Sequence, residues 1–130
     1  MGPSGMVVDT SIFIEYLRSK KKDQTIFQKL PDKAVIFISS VTLFELLIGA
    51  SSNEKWEELR KLTEDIPVLG FTEKIASLSA QIYHELKKSN KLIEYRDIFI
   101  AATAIANDLP ILTLNKKDFK RIKNLTLIEL

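Results

Sequence analysis

Four acidic side chains stand where this sequence has little ordinary use for charge. Asp9 ends the apolar run Met6-Val7-Val8 and is followed by Thr10 and Ser11. Glu45 interrupts residues 41–49, where only Thr42, Glu45 and Gly49 are not apolar and all three share one narrow helical face. A carboxylate enclosed by apolar neighbours is costly unless it is paired or holds a cation. Asp97 falls in the first turn of an Ala- and Ile-rich stretch, and Asp118 lies one turn beyond Asn115, just after the run 111–114. Each position also has a purely structural reading. Asp9 could cap a helix, Glu45 could sit in an ion pair, the macrodipole favours Asp97, and Asn115 could serve only as a cap. Gathered together, the carboxylates repel one another unless a divalent cation neutralises them. With no His or Cys among them, the donor set suits Mg²⁺ or Mn²⁺. Asp9, Glu45, Asp97 and Asp118 are therefore candidate metal ligands, with Thr10, Ser11 and Asn115 as supporting polar groups.

The elements that must position these residues alternate along the chain. Apolar, β-branched runs at 6–8, 34–38, 67–69, 111–114 and 125–128 predict strands. Amphipathic or apolar stretches at 12–17, 24–30, 41–49, 54–65, 72–90, 93–107 and 116–121 predict helices. Short strands alternating with helices imply a three-layer α/β/α sandwich around a mostly parallel sheet of four or five strands. In such folds ligands bind beyond the carboxyl ends of the strands, where the acidic residues fall.

A chain of 130 residues fits one domain, spanning 6–130, with residues 1–5 read as a tag remnant or a disordered N-terminus. No apolar stretch approaches the roughly eighteen residues of a membrane span, which argues against a membrane partner. A secretory pattern is also missing, and the chain has no cysteine, so a cytoplasmic enzyme is expected. A net charge of +2 is too small to announce nucleic-acid binding by itself. His84 lies on an amphipathic helix and reads as a surface residue.

Four motifs carry a family resemblance. Val7-Val8-Asp9-Thr10-Ser11, Phe44-Glu45-Leu46-Leu47-Ile48-Gly49, Asp97-Ile98-Phe99-Ile100-Ala101-Ala102-Thr103-Ala104 and Thr113-Leu114-Asn115-Lys116-Lys117-Asp118-Phe119 occur in order across nearly the whole chain. Together they resemble PIN-domain ribonucleases, above all the VapC-type toxins of type II toxin–antitoxin systems. The resemblance implies a Mg²⁺-dependent endoribonuclease with Asp9, Glu45 and Asp97 as core catalytic acids. It puts the fourth acid within 113–119, where Asn115 and Asp118 compete, and makes Ser11 or Thr10 the family hydroxyl. On this reading Asp9 and Asp97 anchor the metal, while Glu45 and Asp118 complete its shell or orient a water, with Glu45 as general base. An RNA substrate, a homodimer and a cognate antitoxin are further implications.

An acidic pocket repels RNA, so basic residues must line its rim. Candidates are Arg18, Lys20, Lys21, Lys22, Arg96, Lys116, Lys117, Lys120 and Arg121, with Arg96 expected to point away from Asp97. Phe13, Tyr16, Phe44 and Leu47 are expected to form an apolar groove beside the pocket, suited to an antitoxin. A phosphoryl-accepting receiver domain fits poorly, because the first strand ends in a single Asp and Val68-Leu69-Gly70 offers no acid. A non-catalytic PIN-like RNA-binding or scaffold module is the alternative reading.

Overall fold

The computed structural model describes residues 5–129. Residues 1–4 of the segment read as a tag remnant or disordered N-terminus lie outside that range. Gly5, the last residue of that segment, begins the first strand, where the Phe37 ring packs into the space a side chain would need. The strands are β1 (Gly5–Val8), β2 (Val35–Ser39), β3 (Val68–Leu69) and β4 (Ile111–Leu112). They form a four-stranded, wholly parallel sheet in the order β3-β2-β1-β4. The segment expected as a fifth strand contributes a single parallel bridge, Ile111 to Leu127, beside β4. Among the described residues the α-helices are α1 (Thr10–Arg18), α2 (Ile26–Lys29), α3 (Ser40–Gly49), α4 (Asn53–Thr63), α5 (Glu73–Lys88), α6 (Tyr95–Ala106) and α7 (Lys116–Phe119). A 3₁₀ turn, Lys22–Gln24, takes up the start of the segment expected to form the second helix.

The strand period of two divides the interior into two cores. Val7 and Ile111 face one side, packed with Ile75, Ile82, Ile98 and the alanines of α6. Val8, Ile38 and Leu112 face the other, packed with Ile12, Phe13, Leu46 and Leu59 from α1, α3 and α4. Both faces are thus apolar, as a parallel sheet requires. Ala101, Ala102 and Ala104 are fully buried, and their small side chains let α6 lie close against the sheet.

From β1 the chain runs outward to β2 and β3, then crosses back to β4 on the opposite flank of β1. The carboxyl ends of β1 and β4 therefore border the point where connections diverge, leaving a crevice. No helix among the described residues is long and apolar enough to cross a membrane.

Two aromatic residues expected to share a groove part company here. Phe13 is fully buried and its ring centroid lies 5.4 Å from that of Phe27, whereas Phe44 is 59% exposed. Leu47 packs against the same core as Phe13, and the Tyr16 ring lies 5.3 Å from that of Phe27, tilted by 59°. Phe13→Ala should cost about 3–5 kcal/mol in denaturant unfolding, since it leaves a cavity in a closed core. Phe44→Ala should change stability by less than about 0.5 kcal/mol.

Candidate active site

Asp9 follows β1 directly and its N–H extends the ladder, donating to the Leu112 carbonyl at 2.9 Å. It is also the N-cap of α1, so the capping reading holds without removing Asp9 from the crevice. Its Oδ2 accepts from Ser11 Oγ and Thr113 Oγ1, both at 2.7 Å, and from the Ser11 N–H at 3.4 Å. The two hydroxyls are fixed in turn by backbone amides, Leu114 N–H donating to Ser11 Oγ and Asn115 N–H to Thr113 Oγ1. Three donors converge on one oxygen of a carboxylate that is only 3% exposed. Such charge-assisted bonds fix its position and tie the ends of β1 and β4 together.

Glu45 sits midway along α3 with its side chain 15% exposed. Thr10 Oγ1 donates to Glu45 Oε1 at 2.8 Å and lies 2.9 Å from Thr42 Oγ1. On the other side Arg96 Nη1 pairs with Glu45 Oε2 at 3.1 Å, while its Nη2 meets Glu94 Oε2 at 3.2 Å. Arg96 was expected to point away from this region. It turns inward because two carboxylates, from α3 and from the residue preceding α6, offer it partners. An ion pair for Glu45 was one of the structural readings, and it is present.

Asp97, in the first turn of α6, is half-buried. Its carboxyl is pushed up from 3.8 to about 6, first by burial and then by the charge of Asp9. Glu94 and Asp118 add to the rise, and Arg96 opposes it. Asn115 Nδ2 donates to Asp97 Oδ2 at 3.4 Å and to Asp118 Oδ2 at 3.2 Å. The expectation that Asn115 serves only as a cap is therefore corrected. It occupies the N-cap position of α7, yet its side chain makes no capping bond. With two carboxylates within reach, the amide bridges them instead.

Asp9, Glu45, Asp97, Asp118, Thr10, Ser11, Asn115 and Arg96 all line one cavity of about 220 Å³. As they stand, no three acidic groups among the described residues are close enough to share one ion. Arg96 draws on Glu45 from the rim, and the Asn115 amide sits between Asp97 and Asp118. Even so, the donor set fits a hard divalent cation. It is made of carboxylate, hydroxyl and amide oxygens, the donors that hard divalent cations prefer.

The basic candidates divide. Arg18 borders a neighbouring groove, and exposed Lys20 and Lys21 lie just beyond α1. Lys116 pairs with Glu129 at 3.3 Å, while Lys117 and Lys120 are exposed. Lys22 and Arg121 are engaged internally, with the ammonium of Lys22 on the Tyr16 and Leu17 carbonyls and Arg121 on those of Lys91 and Leu92. His84 is exposed, as expected. The sequence reading missed Thr113, which is 1% exposed and bonded to Asp9. The available signal was a hydroxyl inside the apolar run Ile111-Leu112-Thr113-Leu114.

The Asp97 geometry fixes a pH dependence. Because its carboxyl binds a proton more tightly in the folded than in the unfolded chain, its contribution to stability falls as pH rises from about 4 to about 6 and is level above. Asp97→Asn removes this penalty. In chelator, the variant should exceed the wild type by about 1 kcal/mol at about pH 7.5, a figure discounted for the partial exposure of the carboxylate. The difference should vanish near about pH 4, as read by denaturant unfolding.

Known proteins share this arrangement of fold and sequence. The family model described as "PIN domain" matches residues 6–125. Ribonuclease VapC1 of Methanocaldococcus jannaschii is 33% identical over 120 residues, covering 92% of this chain and 82% of that protein. Among solved structures, VapBC2 from Rickettsia felis, bound to a DNA fragment from its promoter, superposes with a TM-score of 0.83 at 26% identity, covering 97% of this chain and 98% of the other. VapBC-1 from nontypeable Haemophilus influenzae gives 0.81 at 27% identity, with coverages of 96% and 97%. With the family model spanning nearly the whole chain and a VapC ribonuclease matched along most of its length, this chain belongs to the PIN-domain family, in its VapC ribonuclease branch.

Proposed function

We propose that the chain is a Mg²⁺-dependent endoribonuclease that cleaves RNA phosphodiester bonds as the toxin of a toxin–antitoxin pair. The observation that carries this is the convergence of Asp9, Glu45, Asp97 and Asp118 on one cavity at the carboxyl ends of β1 and β4. Relatives named ribonuclease and structural neighbours solved as VapBC assemblies support it. Asp9 and Asp97 would hold the cation, with Glu45 and Asp118 completing its surroundings. A bound divalent ion supplies Lewis-acid charge and lowers the pKa of water. Glu45 acts as general base toward the attacking water. Asp9, clamped by Ser11 and Thr113, fixes the floor of the site. Arg96, Lys116 and Lys117 at the rim offset the acidic pocket and bind backbone phosphates. A cytoplasmic location belongs to the same reading.

The partners follow from two apolar surfaces. A groove of about 260 Å³ between α1, α3 and α4 runs up to Glu45, bordered by Ile14, Leu17, Leu46 and Arg18. It suits an antitoxin segment with apolar anchors and a cation directed at the carboxylates. Separately, Phe44, Ile48 and Phe71 are exposed around a second apolar depression that reaches Arg96. This face is the proposed homodimer contact.

Asp9→Asn and Asp97→Asn should each lower Mg²⁺-dependent cleavage of mixed RNA by at least about a hundredfold while circular dichroism stays unchanged. Wild-type rates at saturating Mg²⁺ would remove both from the metal site. Wild-type protein that binds RNA without cutting it would favour the non-catalytic module. For the dimer, Phe44→Glu and Ile48→Glu should each convert a dimer into a monomer in light scattering at micromolar concentration. A wild-type monomer across that range sinks the assignment.

A further inference from the structure

We propose that Thr42 is a positioning residue for Glu45 and acts through the hydroxyl of Thr10. This rests on the reading of Glu45 as part of the metal site. Thr42 lies one turn before Glu45 on the same face of α3 and is fully buried. A buried hydroxyl costs desolvation that an isosteric valine avoids, so its bond needs a purpose. That bond goes to Thr10, itself only 9% exposed at the start of α1.

The direction of the bonds follows from proton count. A hydroxyl has one proton, and an ionised carboxylate can only accept. Thr10 lies 2.8 Å from Glu45 Oε1 and 2.9 Å from Thr42 Oγ1. If Thr10 gave its proton to Thr42, its lone pairs would face the carboxylate at hydrogen-bond distance. Thr10 therefore donates to Glu45, and Thr42 donates to Thr10. The result is a chain of donors ending on Oε1, each bond polarising the next.

Glu45 is thus held from two sides. Thr10, itself bonded to Thr42, holds Oε1 from the buried side, while Arg96, whose side chain is 55% exposed, pulls Oε2 from the rim. Thr10 also immediately follows Asp9, so the chain sets Glu45 relative to the Asp9 carboxylate. Without Thr42, the Thr10 hydroxyl loses its fixed orientation and the pull of Arg96 goes unopposed. Glu45 then shifts toward the rim and away from the other carboxylates.

The test is a double-mutant cycle on the full chain, read by Mn²⁺ calorimetry as well as by RNA cleavage. Thr42→Val should weaken Mn²⁺ binding about fivefold, the worth of one hydrogen bond to a charged acceptor. Thr42→Ser should restore most of the affinity. In a Glu45→Gln background, Thr42→Val should change Mn²⁺ affinity little, because its target is already altered. Thr10→Val breaks the same chain from α1 and serves if Thr42→Val fails to fold. Unchanged Mn²⁺ affinity in Thr42→Val, or an equal loss with and without Glu45, overturns the proposal. If Glu45→Gln itself keeps wild-type Mn²⁺ affinity and cleavage, the metal-site reading of Glu45 fails first and takes the proposal with it.

Discussion

Like-charge repulsion at one sheet edge is the constraint that organises this structure. Asp9, Glu45, Asp97 and Asp118 surround one cavity, and the Asp97 carboxyl is pushed up first by burial and then by the charge of Asp9, with Asp118 adding to the rise. Groups that repel must be held by other forces, and here each carboxylate has donors of its own. Ser11 and Thr113 hold Asp9, Thr10 and Arg96 hold Glu45, and Asn115 bridges Asp97 and Asp118. These donors are neutral apart from Arg96, so they fix positions without cancelling the charge.

The fold supplies the place. In an order β3-β2-β1-β4 the chain turns to opposite flanks of β1, the topology that opens a crevice at the carboxyl edge of a parallel sheet. Val7 and Val8, fully buried in opposite cores, hold the strand that ends in Asp9. Asp97 heads the helix whose Ala101, Ala102 and Ala104 are fully buried in the core that also holds Val7. Interiors packed at this density transmit position, so the carboxylates inherit the rigidity of the sheet.

Charge outside the pocket is apportioned between structure and surface. Lys22 spends its ammonium on the last carbonyls of α1, where a cation favours the helix end. Arg121 braces the Lys91 and Leu92 carbonyls, in the segment that leads into α6 and thus toward Asp97. Arg96 differs from both. It belongs to the pocket through Glu45 while keeping an exposed side chain, and so links acidic interior and basic rim.

What the sequence determined by itself was local. Short apolar runs specified parallel strands, helical spacing placed Thr42 and Glu45 on one face, and Asp9 had to fall where a strand meets a helix. The acidic residues stood out because charge inside apolar runs is expensive wherever the chain goes. The run 111–114 has the composition of a strand throughout, yet β4 ends at Leu112 and the Thr113 hydroxyl is taken by Asp9. Phe13 and Phe44, equivalent as sequence signals, were separated only by packing, one closed into the core beneath Phe27 and the other left on the surface. Tertiary structure alone decided the partners. Thr10 meets Thr42 and Glu45 across 32 and 35 residues, and Thr113 meets Asp9 across 104. Periodicity registers neighbours within a turn or a strand; a hydrogen bond between elements depends on how those elements pack, and packing is a property of the whole chain.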